Sequence, residues 1–60
     1  MIFTEIAAFF AAVCTPMSGQ PTAECMDWMF SCWVEQLETG REAWHGAEVC
    51  SELLPPDLVK

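Results

Sequence analysis

Cysteines at positions 14, 25, 32 and 50 stand among three clusters of turn residues, and together the two patterns admit few folds. The turn signals fall at Thr15-Pro16 through Pro21, at Thr39-Gly40 and at Pro55-Pro56. They cut the chain into stretches of helical length, about 2–14, 21–38 and 40–54, with a short tail behind them. The expected architecture is all-α: three short antiparallel helices in a single disulfide-stapled mini-domain over residues 1–60, with an extended C-terminal tail from Asp57 to Lys60.

In the first stretch, Ile2, Ile6, Phe9 and Val13 form one apolar stripe and Phe3, Ala7, Phe10 and Cys14 a second. Only Thr4 and Glu5 are polar, so this helix is expected to be buried on every side. Two partner helices cannot easily cover it, which hints at a binding surface. The second stretch carries the clearest periodicity. Pro21 suits the first helical position, where its missing amide is no loss, and Glu24 favours the positive end of the helix dipole. At 100° per residue Glu24, Asp27, Ser31, Glu35 and Glu38 make a narrow polar stripe, and the wide remaining arc is apolar. The third stretch opens with Thr39-Gly40-Arg41-Glu42, which fits a capping box with Thr39 as cap. Ala43, Gly46, Ala47, Cys50 and Leu54 then share one face, with Arg41, His45, Glu48 and Glu52 opposite.

Helix order fixes which cysteines can meet. Cys25 and Cys32 lie on one helix, ~10 Å apart along its axis, whereas a disulfide needs Cα atoms within ~7 Å. Cys14 and Cys25 are equally far from a turn centred between Gly19 and Gln20. Cys32 and Cys50 sit at nearly matching distances either side of Gly40. Antiparallel neighbours therefore bring 14 to 25 and 32 to 50, one of three possible connectivities. Each bridge adds roughly 3 kcal/mol by loop entropy. Two other readings are four buried free thiols and a zinc site. Zinc is disfavoured, because no C-x-x-C pair exists and spacings of eleven, seven and eighteen do not suit the usual knuckles. No metal and no cofactor is expected.

The cysteine density is that of stapled domains from oxidising surroundings, yet nothing at the start of the chain reads as an export signal. The first forty residues hold no Lys or Arg, and the strictly apolar run Ile6–Val13 is eight residues against the ~20 of a membrane span. A protein synthesised in the cytoplasm that later enters a virion or another released particle reconciles the two signals.

Charge narrows the partners. Nine carboxylates against Arg41 and Lys60 give a net charge of −7, which disfavours direct nucleic-acid binding and repels an anionic membrane. The 53% hydrophobic content argues against disorder. His45, the single histidine, falls on a polar helix face and reads as a solvated imidazole. A cysteine nucleophile lacks an electropositive setting, and sixty residues leave little room for a substrate cleft. The expectation is a non-enzymatic protein–protein interaction subunit, a small structural or decoration component of a larger assembly such as a viral or phage particle. Candidate partner-binding residues are Ile2, Ile6, Phe9, Val13, Phe30, Trp33, Glu35 and Glu38. The alternative is a soluble acidic inhibitor, a nucleic-acid mimic whose carboxylates block a basic site on a partner enzyme. An amphipathic membrane-active peptide is a third class, opposed by the sign of the charge.

Overall fold

The computed structural model describes residues 2–16 and 19–59. It contains α1 (Ile2–Cys14), α2 (Ala23–Glu38), α3 (Ala43–Leu53) and a final 3₁₀ turn, Pro56–Val59. Each α-helix buries a stripe with four-residue or similar spacing: Ile6, Phe10 and Cys14 on α1, Cys25, Met29 and Trp33 on α2, Gly46, Ala47 and Cys50 on α3. These stripes converge on one core, and two disulfides stitch it.

Cys14 is bonded to Cys25 with Cα atoms 5.7 Å apart, and Cys32 to Cys50 with Cα atoms 5.9 Å apart. The pairing is the one the turn positions imply, and it sets the neighbours running in opposite senses. Phe3, near the start of α1, stacks beside Phe30 and Trp33 far along α2, while Cys14, at the end of α1, meets Cys25 near the start of α2. Likewise Gly46 of α3 faces Gln36 of α2, and Cys50, one turn on, meets Cys32, one turn back. Phe10 holds the centre, edge-on to Phe30 at 5.0 Å and to Trp33 at 5.9 Å between ring centroids.

Four local expectations change. First, α1 is not buried all round: Thr4, Glu5, Ala8 and Ala12 face solvent. An outward alanine exposes one methyl and is the best helix former, so an all-apolar helix can keep an alanine face in water at little cost. Second, α2 begins at Ala23 with Thr22 as cap, its hydroxyl accepting from Cys25 N–H at 3.2 Å. Pro21 lies outside the helix, because the hydroxyl one residue later can cap and proline cannot. Third, Thr39-Gly40 ends α2 instead of starting α3. Gly40 N–H donates to Leu37 C=O at 3.0 Å and Arg41 N–H to Gln36 C=O at 3.1 Å, the two bonds of a Schellman motif, with Gly40 at φ +93°. Glu42 itself caps α3, its Oε1 accepting from Trp44 N–H at 2.6 Å and His45 N–H at 3.2 Å. Fourth, the tail is not extended. Leu58 N–H donates to Pro55 C=O, and the turn brings Leu58 back against the core beside α1 and α2. Lys60 lies outside the described residues.

Candidate functional site

The antiparallel pairing of α1 and α2 leaves apolar side chains in water at one end of the molecule. Phe3 projects from the first turn of α1 with its ring 6.0 Å from Phe30 and 5.9 Å from Trp33, yet it stays 57% exposed. Beyond that contact, α2 carries Val34 one turn after Phe30 and Leu37 one turn after Trp33; they are 48% and 37% exposed. Ile2, next to Phe3, is 49% exposed. Phe3, Val34 and Leu37 thus form an apolar patch beside half-buried Phe30, with Ile2 exposed at the same end of α1.

The acidic stripe borders this patch. Glu24, Asp27, Ser31, Glu35 and Glu38 are all exposed along α2, and Glu35 directly follows Val34 as Glu38 follows Leu37. Arg41, in the turn beyond, donates from Nε to Gln36 Oε1. On the opposite flank of the stripe a shallow depression runs between α2 and α3. Trp28, Ser31, Cys32, Glu35, Gln36 and Leu53 line it, with Leu53 60% exposed.

The candidate partner-binding residues separate into three groups. Ile2, Glu35 and Glu38 are exposed; Phe9, Val13 and Phe30 are half-buried against the core, with Phe9 5.8 Å from the Trp44 ring. Ile6 and Trp33, at 0% and 7% exposure, belong to the core itself. Ile6 opens the buried stripe of α1 and Trp33 closes that of α2, and Trp33 is further held by a hydrogen bond from its indole Nε1–H to Ala43 C=O. Phe3, Val34 and Leu37 were not singled out from the sequence as partner-binding. Phe3 lies level with Phe30 and Trp33, and α1 begins at Ile2, so it does not extend over Val34 and Leu37 one turn further along α2.

His45 is exposed on α3. Among the described residues, no group of three or more His, Cys, Asp or Glu side chains is placed to hold a metal ion, and no helix is long and apolar enough to cross a membrane. In comparison with known proteins, no family model matches the chain, and neither a curated protein nor a solved structure shows significant similarity to it.

Proposed function

We propose that this chain is a non-enzymatic interaction subunit, a small structural or decoration component of a larger assembly such as a viral or phage particle. The observation that carries the reading is the patch of Phe3, Val34 and Leu37, with Ile2 exposed at the same end. The apolar side chains of this 53% hydrophobic chain exceed what its three-helix core covers, and four large ones left in water at one end are costly unless a partner covers them. The two disulfides support the particle setting, since they hold a small domain together in oxidising surroundings where no chaperone or reductant assists it. The test is fractionation of the native source by size, followed by recovery of the chain under non-reducing conditions. The reading expects the chain in a high-mass complex that Phe3→Ser or Leu37→Ser releases. Recovery as a free monomer only would overturn it.

The exposed carboxylates of Glu24, Asp27, Glu35 and Glu38 favour a second reading, an acidic inhibitor seated on a basic enzyme site. On that reading Glu35→Gln with Glu38→Gln abolishes binding, steep salt dependence accompanies it, and Leu37→Ser has no effect.

A further inference from the structure

We infer that the occupant of the Phe3–Leu37 patch is a cationic amphipathic helix of a partner protein, with an apolar stripe flanked by Lys or Arg. The inference rests on the subunit reading above and adds the chemistry of the partner. It follows from area and charge together. A stable interface takes ~800 Å² from each partner. The whole chain exposes 4035 Å², so such a contact would claim about a fifth of its surface. Four side chains that are 37–57% exposed cannot supply that area alone.

Any partner that seats on the patch must therefore spread onto its neighbours, and along α2 those are Glu35 and Glu38, with Ser31 and Asp27 further back. Covering carboxylates with apolar or acidic surface strands them without water or counter-charge, which is strongly unfavourable. A second copy of this chain is thereby disfavoured. A symmetric contact would have to cover each copy's Glu35 and Glu38 with a surface that has only two Lys or Arg residues in all, and the chain's net charge of −7 adds repulsion at longer range. A helix with basic residues flanking its apolar stripe meets both demands. Its apolar side chains cover Phe3, Val34 and Leu37, and its ammonium or guanidinium groups reach Glu35 and Glu38.

The probe is a synthetic eighteen-residue helical peptide with Leu at i, i+3, i+4 and i+7 spacing and Lys on both flanks. Two controls accompany it: one has Glu in place of Lys, and one has the same composition in scrambled order. Binding to the full oxidised chain is followed by calorimetry and by amide shifts. The expected result is binding of the Lys peptide alone, with shifts centred on Phe3, Val34 and Leu37. Leu37→Ser and Val34→Ser, both at exposed positions that leave the core intact, should each weaken it roughly tenfold or more. Glu35→Gln with Glu38→Gln should also weaken it and flatten its salt dependence.

Equal binding of the scrambled peptide, or indifference to Leu37→Ser, would overturn the inference in favour of charge attraction alone. Equal binding of the Glu peptide would overturn it by removing the charge requirement. Concentration-dependent dimers lost in Leu37→Ser would give the patch to a second copy, and Leu37-dependent sedimentation with phosphatidylcholine vesicles would give it to a lipid surface. No binding of the Lys peptide overturns it as well. All of these leave the subunit reading standing if the native chain still runs in a high-mass complex that Leu37→Ser releases.

Discussion

The indole Nε1–H of Trp33 donates to the backbone carbonyl of Ala43 at 2.9 Å, joining the second half of α2 to the first residue of α3. The ring is 7% exposed and packs edge-on to Phe10, so one side chain serves both the core and the α2–α3 junction. Trp33→Phe keeps most of the packing and removes the donor. It should cost about 1–3 kcal/mol, the range for a part-buried hydrogen bond with some lost volume. Trp33→Ala should cost about 3–5 kcal/mol. Thermal melts of the oxidised chain measure both. Equal costs for the two variants would show that the hydrogen bond, and not the ring, carries the junction.

The caps give a second prediction. Glu42→Ala leaves Trp44 N–H and His45 N–H without their side-chain acceptor and should cost about 1 kcal/mol. Thr22→Ala should cost a similar amount, because Cys25 N–H loses the Thr22 hydroxyl. Thr39→Ala should stay within about 0.5 kcal/mol, since the exposed Thr39 hydroxyl only donates to Gln36 C=O. A capping box led by Thr39 makes the opposite ranking. Denaturant titration of the three variants decides between them.

That contrast shows where the sequence was legible. The cysteine pairing could be read because disulfide reach is short and turn residues set the level of every later residue. Thr39-Gly40-Arg41-Glu42 satisfies a helix stop and a helix start equally well, and only the hydrogen bonds of Gly40 and Arg41 back to α2 assign it. The polar stripe of α2 came through unchanged, as did the two faces of α3 within Ala43–Leu53, since burial follows helical angle; Arg41 and Leu54 fall just outside that helix. The patch did not. Periodicity tells which side of α2 faces α1, but it does not say how far α1 reaches. Phe3 therefore reads as buried with the rest of α1, Leu37 falls unmarked in the apolar arc of α2, and Ile6 and Trp33 read as candidate surface. Leu58 was missed because a proline pair signals a break without revealing that an apolar seat lies within reach.

Two glycines should respond to alanine for different reasons. Gly40 has φ +93° with nothing within 4 Å of an added Cβ, so Gly40→Ala strains only the backbone and should cost about 1 kcal/mol. A D-alanine at the same position, accessible by chemical synthesis, suits that φ and should stabilise by about 0.4–1 kcal/mol through the unfolded state. Gly46 sits in mid-helix, where alanine would ordinarily gain about 1 kcal/mol. Its added Cβ would lie 3.0 Å from Gln36 Cβ and 3.4 Å from Trp33 Cδ1. Gln36 Cβ is fixed to the α2 backbone, and the Cys32–Cys50 bridge holds the two helices together, so the contact cannot relax cheaply. Gly46→Ala should therefore be net destabilising by about 1 kcal/mol, and a rise in melting temperature would show that α3 can back away.

The two disulfides differ in access more than in contribution to stability. Their sequence separations of 11 and 18 residues give similar loop-entropy terms, so replacing either pair by alanine should cost about 3 kcal/mol. Cys14 and Cys25 are fully buried. Cys50 is buried too, but Cys32 is half-buried and lines the depression between α2 and α3. Thiol–disulfide exchange needs an attacking group to reach a sulfur, so a limiting reductant should open Cys32–Cys50 first. A neutral phosphine should do so faster than glutathione, whose anionic thiolate must pass Glu35 at the rim. Alkylation of the partly reduced chain, followed by peptide mapping, should place the label on Cys32 and Cys50 while Cys14–Cys25 is still intact. Label appearing equally on all four cysteines would mean that the chain unfolds as a whole before either bridge is attacked, and that the depression gives reductants no entry.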